Sequence, residues 1–130
     1  SLDKNNGNYA LGIFQTISVF NILDLDELTK YAHEHLGIPI HYNMVFTPKH
    51  ISPKVLPKSV KQFISNKYKY HPEYIQRILN FMNGEDYKSR YWRRFIQITK
   101  FSDKYRKESF PETFPQLYQL IKEDWDDGEV

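Results

Sequence analysis

The stretch YALGIFQTISVFNILDLDELTKYAHEHLGIPIHYNMVFT, residues 9–47, decides the fold. In residues 9–20, Ile13, Ile17 and Val19 alternate with Phe14 and Phe20, so both faces of the run are largely apolar. A two-sided apolar run of this kind predicts a strand buried in a parallel sheet. Asp24-x-x-Glu27 then reads as a capping box, with Asp24 as N-cap and Glu27 reaching back. Leu25, Leu28, Tyr31, Ala32 and Leu36 recur at helical spacing, and Gly37 supplies a left-handed stop. Residues 38–47, IPIHYNMVFT, predict a second strand rich in β-branched and aromatic side chains. Strand, helix and strand make one βαβ unit, for which a right-handed crossover and parallel pairing are expected.

Outward from that unit the strands stop. Pro48, Pro53 and Pro57 punctuate a loop, and Pro57 suits the first turn of a helix carrying Val60, Phe63, Ile64 and Tyr68. Pro72 opens another helix, with Ile75, Ile78, Leu79 and Met82 on one face and Gly84 at its end. Asp86 is placed to cap a longer helix whose apolar stripe runs through Tyr91, Phe95, Ile98 and Tyr105, widened by Trp92, Ile96 and Thr99. Phe114, Leu117, Leu120 and Ile121 mark a closing helix after Pro111. The expected organisation is a disordered or vector-derived start over residues 1–8, a βαβ unit and proline loop over 9–56, a helical extension over 57–124, and an acidic tail over 125–130.

The 130 residues suffice for one domain, and 16% aromatic content argues against a disordered chain. The absence of cysteine excludes disulfides, thiolate zinc sites, a cysteine nucleophile and iron–sulfur ligation by this chain's own thiolates. No run approaches the length of a membrane span and no signal-peptide pattern opens the chain, so the expectation is a soluble, cytoplasmic protein without a membrane partner.

Charge is unevenly placed along the chain. Residues 49–107 hold fifteen Lys/Arg against four Asp/Glu, whereas residues 108–130 hold one against seven. The sharpest basic-aromatic segment is Lys88-Ser89-Arg90-Tyr91-Trp92-Arg93-Arg94. Two readings follow. On an amphipathic helix the charges point outward and the rings inward, with the acidic tail neutralising the basic face. Alternatively, Arg90, Arg93 and Arg94 contact an anion or nucleic acid, for which Lys/Arg neutralise phosphates and aromatic rings stack on bases.

Catalytic constellations are scarce. His33 and His35 point apart on a helix, and His41 and His50, although able to approach one another, lack a carboxylate at helix-ligand spacing, so no metal site is expected. Asp24, Asp26 and Glu27 crowd a helix start, where capping and the macrodipole account for them. No glycine-rich phosphate loop or nucleophile elbow occurs.

Two parallel strands followed only by helices make a poor sheet, because parallel sheets normally have several strands and both faces covered. The order of residues accords with that incompleteness. FQTISVFNILDLDELTKYAHEH resembles the late strand and following helix of radical SAM proteins that carry a short twitch-type C-terminal extension. IHYNMVFTPKHISPKVLPKSVKQFI is similar to the strand, proline loop and helix that come next in that family. FMNGEDYKSRYWRRFIQITKFSDKYRKESFPETFPQLYQLI resembles its helical end, including the S-F-x-x-x-F-P-x-L pattern at Ser109, Phe110, Phe114, Pro115 and Leu117. The resemblance spans residues 9–122, while the family's C-x3-C-x2-C motif is absent.

The resemblance implies the last two strand–helix units of a partial (β/α) barrel and its helical extension. It also implies a noncatalytic fragment whose parent binds S-adenosylmethionine and an iron–sulfur cluster, with no cofactor held by this chain alone. By similarity, Thr16, Ser18 and Asn21 lie near the methionine or ribose part of S-adenosylmethionine, and Asn43 and the backbone at Val45, Phe46 and Thr47 flank its adenine. In the alternative reading, Thr and Ser in such a strand are hydrogen-bonded core residues and Asn43 anchors a turn. The implied partner is the missing front of the barrel. Two other readings stand beside it: a second copy completing the sheet across exposed strand edges, or a small basic module for nucleic acid or an acidic protein.

Overall fold

The computed structural model describes residues 13–37, 40–45 and 47–127; the predicted start over residues 1–8 lies outside them, as do residues 9–12 of the first strand. The fold is mixed α/β. Strand β1 (Ile13–Ile17) pairs in parallel with β2 (Ile40–Met44), in the register Thr16 opposite Asn43 and Ile17 opposite Met44. The Val45 N–H extends the ladder, donating to the Ile17 carbonyl at 3.0 Å. Between the strands run a turn of 3-10 helix (Ile22–Asp24), helix α1 (Leu25–Tyr31) and a π-helical end (Ala32–Leu36). Gly37, at φ 62°, closes this end with its N–H on the Ala32 carbonyl, as expected of a left-handed glycine stop.

The strand face that carries Ile17, Tyr42 and Met44 packs against the helices. The other face carries Phe14, Thr16, His41 and Asn43, all exposed, with Phe14 72% accessible. Two-sided burial was the expectation for the first strand; the sheet is instead covered on one side only among the described residues. The physical reason is that the chain's own helices all gather on the Ile17 side, so the apolar Phe14 finds only the His41 ring, stacked at 5.0 Å.

Two further expectations are corrected. Asp24 makes no side-chain cap to α1, because the preceding 3-10 turn runs straight into the helix and the Asp24 N–H bonds the Asn21 carbonyl. The Asp24/Glu27 capping box is therefore not formed; the Glu27 N–H goes to Asp26 Oδ1 instead.

After β2, two turns of 3-10 helix (Lys49–Ile51 and Pro53–Val55) lead into α2 (Lys58–Lys67), α3 (Glu73–Met82), α4 (Lys88–Arg106), a short α5 (Phe110–Thr113) and α6 (Pro115–Asp127). Pro57 and Pro72 stand immediately before α2 and α3, and Asp86 Oδ1 accepts the Lys88 N–H at the start of α4. In α3 the buried residues are the expected Ile75, Ile78, Leu79 and Met82. In α4 the buried stripe is Trp92, Phe95, Ile96 and Thr99, whereas Ile98 and Tyr105 turn outward. The predicted stripe was therefore centred on the wrong edge. Phe20, Phe95, Phe110 and Phe114 cluster around the α4–α5 junction, and Trp125 of α6 stacks on Phe110 at 4.7 Å.

Tyr68, at the end of α2 and fully buried, joins the helical part to the βαβ unit. Its hydroxyl accepts the Leu25 N–H, an unpaired donor of the first turn of α1, at 3.2 Å. Burial pushes the phenol well above its ordinary pKa, so it remains a neutral hydroxyl. Lys67 Nζ caps the Leu23 carbonyl at 2.6 Å beside it. Tyr68→Phe keeps the ring but leaves the Leu25 N–H without its acceptor, and is expected to cost about 1–3 kcal/mol. Urea unfolding checks this; an unchanged midpoint contradicts the role assigned to the hydroxyl.

Candidate functional site

The carboxyl ends of both strands lie at one edge of the sheet, the end at which open α/β sheets place ligands. The sequence-predicted residues there divide into two groups. Thr16 and Asn43 sit directly opposite each other on the uncovered face, side chains exposed. Ser18 and Asn21 instead build the turn that follows β1. Asn21 Oδ1 accepts the Ser18 N–H at 2.9 Å, its Nδ2 donates to the Thr16 carbonyl at 2.8 Å, and Ser18 Oγ accepts the Phe20 N–H at 3.2 Å. Val45 is buried and engaged in the ladder, while Phe46, named with it, lies outside the described residues. The turn thus holds Thr16 and Asn43 on a fixed frame, and both can offer hydroxyl or amide groups to a polar ligand lying on the sheet.

The five histidines do not converge. His33 and His35 are exposed, His41 stacks on Phe14, His50 lies in the loop after β2, and His71 meets the Tyr68 ring edge-on at 5.0 Å. No group of three potential metal ligands occurs among the described residues. His50 lines a cleft of about 310 Å³ together with Phe20, Ile51, Asp103, Arg106 and Phe110. Burial, and then the neighbouring Arg94 charge, hold the His50 imidazole below its ordinary pKa, so it is neutral near pH 7. Asp103 is committed structurally, since its Oδ2 accepts the Phe110 N–H at 2.7 Å. This cleft, absent from the sequence-based candidates, is legible only once α4 and the post-β2 loop are side by side.

Arg90, Arg93 and Arg94 are all exposed on α4, but they do not act as one patch. Arg93 shares a groove with Asp124 and Asp127 of α6, whose Asp124 also accepts the Trp92 indole N–H at 2.8 Å. Arg94 approaches His50, and Lys49 lies over the Tyr87 and Tyr91 rings at 5.6 and 5.7 Å. The acidic end of α6 therefore faces Arg93, while Arg90 and Arg94, 40° apart around the helix axis and 60° and 100° from Arg93 at 100° per residue, form no ion pair with any described residue.

Asn21→Ala removes both bonds that close the β1 turn and is expected to lower stability by about 1–2 kcal/mol in urea unfolding. His50 favours its neutral form in the fold. Its contribution to stability is fully present above the unfolded pKa near 6.5 and is lost as pH falls below that value toward the lower folded pKa. His50→Gln should flatten the stability profile from about pH 7 to about pH 5, and Arg94→Gln should raise the His50 pKa read by NMR titration.

No helix among the described residues is long and apolar enough to cross a membrane. No family model, no curated protein and no solved structure matches this chain.

Proposed function

We propose that this chain is the noncatalytic C-terminal part of a radical SAM-like protein, contributing the last two strands of a partial (β/α) barrel and a helical extension. The observation that carries the reading is the one-sided sheet. In such a barrel each strand is covered by helices outside and faces the lumen inside. Here the parallel strands have helices on the Ile17 side, while Phe14, Thr16, His41 and Asn43 are uncovered. Their outer edges also lack a neighbouring strand among the described residues.

On this reading the uncovered face is the lumen, and Thr16 and Asn43 at the carboxyl ends of the strands hydrogen-bond S-adenosylmethionine. Ser18 and Asn21 act as positioning residues that hold the Thr16 backbone, and the Val45 backbone closes the ladder beneath. The iron–sulfur cluster does not fit this chain, which has no cysteine, so thiolates from outside this sequence hold it. The chain's partner is accordingly the front of the barrel, and no catalytic residue is assigned to the chain itself.

The coding sequence upstream of Ser1 tests the proposal. A C-x3-C-x2-C segment within about 150 residues, the span of a typical domain, is expected. Hydrogen exchange at residues 13–17 and 40–44 is expected to be fast in the chain alone and protected in the extended protein. An upstream frame without that motif overturns the reading. So does protection of the same strands in a concentration-dependent dimer of the chain alone, which makes a second copy the element that completes the sheet.

A further inference from the structure

We infer that the solvent face of α4 is a binding surface for single-stranded nucleic acid, independent of the barrel reading. The inference starts from charge. Arg90, Arg93, Arg94, Lys104 and Arg106 all lie on α4 (Lys88–Arg106), and none forms an ion pair with a described residue. The placement is not explained by the helix itself. Arg90 and its neighbours stand near the positive end of the helix macrodipole, where cations are disfavoured, and the first turn holds no acidic residue.

The second observation is aromatic. Phe101 and Tyr105 are 65% and 80% exposed, and their rings are parallel, 12° apart in plane with centroids 6.1 Å apart. Both belong to the core-facing helix only by residue type. The buried stripe of α4 is Trp92, Phe95, Ile96 and Thr99, and Arg90, Arg94, Phe101 and Tyr105 fall on the side opposite it at 100° per residue. One straight helix face therefore carries two unpaired guanidinium groups and, about two and three turns beyond Arg94, two accessible rings.

Lys/Arg supply phosphate contacts to any polyanion, but exposed ring faces discriminate. In a duplex the bases are stacked on one another, whereas a single strand can lay its bases on Phe101 and Tyr105. An acidic protein segment would satisfy the arginines and leave the rings unused. The chemistry on this face thus fits a single strand better than a duplex or an acidic peptide. Arg93 is set aside from the site, since it faces the acidic end of α6.

The test is fluorescence anisotropy of a labelled oligo(dT) strand with this chain. Binding is expected at about 50 mM salt and should weaken roughly 7-fold by about 200 mM, the fall for about two phosphate contacts on a single strand. Arg90→Ala with Arg94→Ala should reduce the salt slope by about 1.4. Phe101→Ala with Tyr105→Ala should weaken binding by about 5- to 150-fold per stacked base while leaving the salt slope unchanged. Both pairs are exposed, and an unchanged circular dichroism spectrum shows that each double variant is folded. Absence of binding at the lower salt overturns the inference, as does equal affinity for duplex and single strand with no effect of the aromatic substitutions. These readouts use the chain alone, so their failure leaves the barrel proposal untouched.

Discussion

The buried hydroxyl of Tyr68 is a polar joint inside the single hydrophobic core that the βαβ unit and the helices share. A two-stranded parallel sheet with one crossover buries too little apolar surface to stand alone. It is held by the core it shares with the helices, within which Tyr68 and Lys67 meet the backbone of Leu23 and Leu25 across more than forty residues of sequence, the Leu25 N–H being taken at 3.2 Å and the Leu23 carbonyl at 2.6 Å. Around that joint Ile17, Val19 and Ile22 from the βαβ unit enter the same core as Ile64, Ile78 and Met82 from the helices. Polar groups drawn into this core are paired: the buried Lys61 ammonium bonds the Lys54 carbonyl at 2.7 Å and Asp86 at 3.3 Å, and no buried side-chain donor or acceptor among the described residues lacks a partner.

The same arrangement explains why the sheet is one-sided. Once all six helices are committed to the Ile17 face and to each other, Phe14, Thr16, His41 and Asn43 stay exposed, with Tyr74 and Arg77 of α3 reaching only the edge of a cleft lined by Phe14, His41 and Asn43. Tyr42 points the other way, sharing hydroxyl contacts with Thr29 and the Leu25 carbonyl and lying parallel to the Tyr74 ring at 6.0 Å. Period-two geometry leaves no intermediate outcome: residues that flank Tyr42 in sequence must face away from the helices. An apolar residue as large as Phe14 on such a surface is a feature that a further layer or strand would remove from water.

Chemistry-bearing residues sort by the same logic. Ser18 and Asn21 look like ligand groups in a strand-end motif, yet their hydrogen-bonding capacity is spent on the turn itself. Thr16 and Asn43, five and twenty-two residues away from Asn21 in the chain, become neighbours only through the strand register. Arg90, Arg93 and Arg94 read as one cluster in the sequence, but a helix distributes them over more than a quarter of its circumference, and the acidic end of α6 reaches only Arg93.

The sequence by itself determined the βαβ unit, the glycine stop at Gly37, the proline-marked starts of α2 and α3 and the core face of α3, because each depends on near neighbours: alternation, helical spacing, a left-handed φ or a missing N–H. Tertiary structure alone decided which strand face is covered, which edge of α4 is buried and which of the arginines meets an acid. In α4 apolar side chains occupy most of the circumference, so spacing permits several stripes, and only packing against Phe110 and Trp125 selects Trp92, Phe95, Ile96 and Thr99. Burial is a property of what lies opposite a residue, and that is set by contacts between segments far apart in the chain.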